Sequence, residues 1–281
     1  MISINKLLPK KERIFYLYSV IALVLAIYLF YQYLASSHPE IKPIFVRYFI
    51  LDTSNLNTNI FLSSYTHINF VHLFENIILY SLFLIMSFQY IEDKKKFKSL
   101  MIRCLLIFPI VNSFLLIPFI ESGMGLSGIV KCLQGYLFFA SYRYVKDKYH
   151  LPINVYHVFI FIPINILSIF LFLSLSNISV PSYILLFIVP MLIILPLLYI
   201  EQRFSKKSKI ENVISILLEN SKTKMLGNFK IGFYTLAFII IFIIPYESFI
   251  PSRTTGWESH LIGWIYGLIV SGRLLLQKQC F

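Results

Sequence analysis

Residues 121–136, ESGMGLSGIVKCLQGY, place Ser127 between Gly125 and Gly128 at the head of an otherwise apolar segment. From residue 127 to 140 that segment is about 14 residues, or ~21 Å as a helix, shorter than the ~30 Å hydrocarbon core of a bilayer. Arg143, Lys146 and Lys148 follow it, so it reads as a span over 125–142 whose serine end lies below the membrane surface.

The rest of the chain has the composition that such a segment requires. Of 281 residues 58% are hydrophobic and only 14% charged, which excludes an ordinary soluble globule and predicts a multispanning, all-α membrane protein. Eight apolar runs are separated by short polar joints, at 14–34, 67–90, 100–120, 125–142, 154–175, 181–200, 231–244 and 260–276. The first follows Lys6, Lys10, Lys11 and Arg13, but its 21 residues exceed a signal-peptide core, so it reads as a retained span. A long loop occupies 35–66, and a basic segment fills 201–230, with 210–218 as a short amphipathic helix. The fold predicted is a polytopic helical bundle of about eight spans, one transmembrane domain over 1–281, in contact with the lipid bilayer.

The net charge of +12 does not point to nucleic acid, because the basic residues lie in the joints and form no single patch or arm. They indicate topology instead. The segments 1–13, 91–103, 143–150, 201–230 and 273–281 hold 21 of the 25 Lys and Arg, and all fall on one side when sides alternate. By the positive-inside rule both termini and the 201–230 loop are cytoplasmic, in a cell membrane, while 35–66 and 246–259 face outside. Cys104, Cys132 and Cys280 are too scattered for a disulfide framework or a metal pair, and no motif calls for a cofactor.

Polar side chains at span level are costly and are functional candidates by default. Under this topology three groups collect toward the outer side. The second span opens with HINFVHLFEN at 67–76, where His72 and Asn76 share a helical face. The fourth offers Ser127 and the eighth His260. A serine becomes nucleophilic when a base takes its proton, and histidine is the usual base, so Ser127 and His260 form a candidate dyad. Asn76, His72 and the Ser127 backbone N–H are candidate donors to an oxyanion. No aspartate stands at span level to complete a triad: Asp52, Asp93 and Asp147 all lie in joints. Small residues support the meeting. His260, Gly263 and Gly267 share a helical face that Ser271 continues, and Gly128, Cys132 and Gly135 make a matching row, as membrane helices need for close approach.

With those residues in view, the chain resembles the rhomboid intramembrane serine proteases. Gly125-Leu126-Ser127-Gly128 is similar to the family's G-x-S-G. His67-x4-His72-Leu73-x2-Asn76 resembles its second-helix H-x4-H-L-x2-N, and His260-x2-Gly263-x3-Gly267 its last-helix H-x2-G-x3-G. The resemblance implies a six-helix core, Ser127 as nucleophile, His260 as general base, His72 and Asn76 as oxyanion contacts, and transmembrane proteins as substrates. The family usually has one span between serine and histidine. Here there are three, so two additional spans, read as the fifth and sixth, are inserted. The family's Trp-Arg pair is absent from 35–66, Cys132 stands where glycine is common, and Lys131 is unusual there.

The plainer readings are helix packing for Ser127, a structural pairing of His260 with Glu258 or Glu121, and interhelical bonding for His72 and Asn76. His67, five residues from His72, reads as a cap or loop tether, and Glu75 as structural. Lys131, one turn below Ser127 and followed on that face by Gln134, is either satisfied by carbonyls and water or tunes the serine. A metalloprotease would need H-E-x-x-H, which does not occur. The polar residues gather near one face instead of marking a transporter's midplane path. The remaining alternative is a catalytically inactive rhomboid-like protein that binds or escorts membrane clients.

Overall fold

The computed structural model describes residues 10–91, 94–149 and 256–276. The expected spans over 154–175, 181–200 and 231–244, and the 201–230 basic loop, lie outside these residues. Those up to Ala140, with those from 256 onward, belong to one compact unit, and a second begins at Ser141. The description below is of the first.

Among the described residues three helices are long and apolar enough to cross a membrane: Glu12–Ser37, Phe70–Tyr90 and Lys94–Leu116. The first is most of α1 (Lys10–Ser37). It exposes Phe15, Tyr18, Leu29 and Phe30 and buries only a thin stripe including Val20, Val24 and Ile27. A helix apolar on every side but covered by protein on one fits a lipid environment.

The loop after α1 is built, not slack. Short α2 (Lys42–Phe49) starts with proline in its first turn and turns Phe45 inward against Tyr31 of α1, ring centres 5.1 Å apart. Strand β1 (Leu51–Asp52) follows, then α3 (Asn59–Leu62) and a 3-10 turn at Ser63–Tyr65. β1 pairs antiparallel with β2 (Ser122–Gly123), Leu51 opposite Gly123, which ties this loop to the segment entering the serine turn.

α4 (Phe70–Tyr90) begins three residues later than the run 67–90 suggested. Asn69 stops it by capping: its side-chain oxygen accepts the His72 N–H at 3.1 Å, a bond available only to the residue before the first turn. His67 therefore lies in the loop ahead of the helix. The third run is α5 (Lys94–Ile102), a π turn at Arg103–Ile107 and α6 (Phe108–Leu116), beginning and ending before the expected 100–120. Near its start Phe97 packs against Tyr16 and Phe88, while Glu12 pairs with Lys94 and Lys98.

α7 (Ser127–Tyr149) occupies the middle of the unit. Residues 128–140 are buried without exception, which is how a helix carrying Lys131 and Gln134 is accommodated. It runs on past the expected end at 142, because basic residues close an apolar run without ending a helix. The last described helix, α8 (Trp257–Leu276), starts one turn before His260.

α7 and α8 meet through the two small-residue rows. A Cβ placed on Gly263 would stand 2.4 Å from Gly128 O, one on Gly267 2.1 Å from Cys132 O, and one on Gly135 2.1 Å from Trp264 O. Backbone touches backbone at three successive levels.

Candidate active site

The serine turn is shaped by Gly125, whose φ of 129° is open only to glycine. Its N–H donates to Ser63 O at 2.9 Å, and the next N–H, of Leu126, donates to His67 Nε2 at 3.3 Å. Both anchors come from the stretch before α4. That stretch is itself held by α5–α6: the Tyr65 hydroxyl donates to Leu105 O in the π turn. His67 thus serves as the loop tether. Two residues of one short loop hold the backbone immediately before Ser127.

Around Gly125 the polar groups converge. The position of an added Cβ there is 3.7 Å from each of His67 Nε2, His72 Nε2 and Ser127 Oγ, so all three fit in one sphere of that radius. Asn76, buried one turn along α4 from His72, reaches into the same group. Its Nδ2 lies 2.8 Å from His72 O, 3.2 Å from His72 Nε2 and 3.3 Å from His67 Nε2. Because His67 Nε2 accepts from the Leu126 amide, it carries a lone pair and the ring proton is on Nδ1. Burial first, and a charge on neighbouring His72 second, bring its pKa down to about 4, so the tether is a neutral imidazole. Ser127 is half-buried and His72 exposed, whereas Gly125, Leu126, His67 and Asn76 are buried.

His260 lies in the first turn of α8, its N–H bonded to Gly256 O at 3.2 Å, and its side chain is buried. The residues on either side of it in space touch the residue after the serine. A Cβ on Gly128 would come within 2.7 Å of Ser259 Oγ, and Gly263 rests on Gly128 O. Ser259 in turn bonds Asn112 of α6, with Asn112 Nδ2 3.0 Å from its Oγ. The structure therefore gathers Ser127, His72 and Asn76 around one point and packs the His260 turn against Gly128. Among the described residues no hydrogen bond involves Ser127 Oγ.

Several supporting residues were not singled out from sequence. Asn69, three residues before His72, carried a readable helix-start signal. Ser63, Tyr65, Asn112 and Ser259 act across large sequence separations and leave no local trace.

No protein-family model, curated protein or solved structure matches the chain.

Proposed function

We propose that this protein is an intramembrane serine endopeptidase acting on transmembrane proteins through Ser127 and His260. What carries the reading is the convergence at Gly125: a half-buried serine hydroxyl, with His72 and Asn76 on the same small volume and the His260 turn packed beside Gly128. On this reading the described helices belong to a rhomboid-like core of six, with two more spans inserted before the last two, and both termini cytoplasmic. The one-sided distribution of Lys and Arg supports that topology.

A substrate helix must unwind before cleavage, because helical amides are already bonded and shielded. Its carbonyl carbon then meets Ser127 Oγ while His260 takes the hydroxyl proton. The tetrahedral oxyanion is met by Asn76 Nδ2, His72 and the Ser127 N–H. His260 returns the proton to the leaving amine, and water releases the acyl group. Neutral His67 takes no proton in this sequence; it fixes the turn that presents the serine.

A fluorophosphonate probe tests the nucleophile: wild type labels and Ser127→Ala does not. Cleavage of a transmembrane reporter that survives His260→Ala would remove the histidine from the mechanism. The second reading, a catalytically inactive protein that escorts membrane clients, draws on the lack of a hydrogen bond to Ser127 Oγ among the described residues. Such bonds are often long in the absence of substrate. Folded wild-type protein that takes no label at all would favour the escort.

A further inference from the structure

Cys104 and Cys132 belong to neither the serine turn nor its anchors, yet their Sγ atoms lie 2.8 Å apart and both residues are wholly buried. Cys104 is the second residue of the π turn between α5 and α6, and Cys132 sits on α7 five residues beyond Ser127. Two sulfurs at this separation are already inside ordinary van der Waals contact. Closure by roughly 0.8 Å would bring them to the disulfide length of about 2.05 Å. A shared metal fits less well, since metal–sulfur bonds of about 2.3 Å hold tetrahedral sulfurs farther apart than this. The backbones on both sides are fixed: the Cys132 carbonyl rests against Gly267, and the neighbouring Leu105 carbonyl is held by Tyr65.

We propose that Cys104 and Cys132 are an oxidisable pair, converted by an apolar two-electron oxidant into an intramolecular disulfide that ties the third helical run to the serine helix. The oxidant class follows from the surroundings. Thiols wholly buried within apolar helices exclude ions, so an acceptor that reaches them is uncharged and lipid-soluble, such as a quinone. One sulfur gives up its proton and adds to the acceptor; the other sulfur then displaces the acceptor and forms the S–S bond. Two S–H bonds are lost, one S–S bond is made, and both electrons and both protons leave on the acceptor, a quinone becoming a hydroquinone. A dithiol reverses the step. The bridge stands whether or not the protein is a protease.

Counting thiols tests it. Folded protein in proteoliposomes is treated with decylubiquinone or with diamide, whose N=N bond takes up the two electrons and two protons. It is then denatured in SDS and labelled with maleimide-polyethylene glycol. The chain has three cysteines, so untreated protein should take three labels, oxidised monomer one, and oxidised protein after dithiothreitol three again. Cys280→Ser should go from two labels to none, while Cys104→Ser and Cys132→Ser keep two throughout. Three labels persisting after both oxidants would overturn the proposal. So would a loss that dithiothreitol does not restore, or an equal loss in Cys104→Ser.

Discussion

Gly263→Ala tests the link between helix spacing and chemistry most directly. The new methyl would stand 2.4 Å from Gly128 O and 3.2 Å from Lys131 Cβ, whereas real Cβ contacts start at 3.0 Å and become ordinary at 3.4 Å. Relieving it parts α7 and α8 by the difference, 0.6 to 1.0 Å, since the obstacle is backbone and cannot swing aside. Overpacking of this kind costs about 1–3 kcal/mol, partly offset by the better helix propensity of alanine, about 1 kcal/mol. The chemical cost is larger. A misplacement of about 1 Å between reacting groups lowers rate on the order of 100-fold, and the contact lies one turn from His260 and one residue from Ser127. The assay is kcat/KM for a fluorogenic transmembrane substrate in proteoliposomes, alongside the thermal unfolding midpoint. Gly272→Ala is the control, because nothing among the described residues lies within 4 Å of its added Cβ. The expected result is a rate about two orders of magnitude below the control with a modest stability change. A Gly263→Ala variant within twofold of Gly272→Ala would refute the argument that this contact sets the alignment.

Further outcomes follow from the site. Gly125→Ala meets only ordinary 3.7 Å contacts, so its defect is backbone strain of about 1–3 kcal/mol at φ 129°; a variant as stable as wild type by thermal unfolding would contradict that. His67, with its pKa lowered to about 4 in the fold against about 6.5 in the unfolded chain, charges only in the unfolded state between those values. The unfolded state then binds more protons, so stability is lost as pH falls from about 6.5 to about 4, by up to about 3 kcal/mol. His67→Gln should flatten that slope in acid-unfolding titrations, and an unchanged slope would assign it elsewhere. Asn76→Ala should lower kcat about 100- to 1,000-fold with KM little altered; a KM effect alone would make it a binding residue. Asn69→Ala removes the cap and should cost about 1 kcal/mol, measurable as a lower unfolding midpoint.

The parts of the fold that sequence showed are those written in local periodicity. Apolar length marked α1, α4 and the α5–α6 run, and the matched rows at Gly128, Cys132, Gly135 and Gly263, Gly267 anticipated the helix contact. His72 and Asn76 were paired by their four-residue spacing, and they do bond. Other features depend on partners far along the chain. β1 pairs with a strand about seventy positions away, Cys104 meets Cys132 between the third helical run and α7, and the Tyr65 hydroxyl finds a carbonyl in the π turn. His67 illustrates the boundary between the two: its loop position follows from the Asn69 cap, but its partner, the Leu126 amide, was visible only in three dimensions.

The wide turn at Arg103–Ile107 also bears on how this region tolerates change in length. It accommodates one residue more than an α-helix would over the same rotation, so deleting a single residue there would restore regular pitch and leave the two halves of the run at nearly the same angular setting. Phe97 would keep its place beside Tyr16 and Asn112 its bond to Ser259. A gap of one position inside 103–107 should therefore be tolerated better than a gap of one position within α5 or α6, which would turn one half of the run against the other by about 100°.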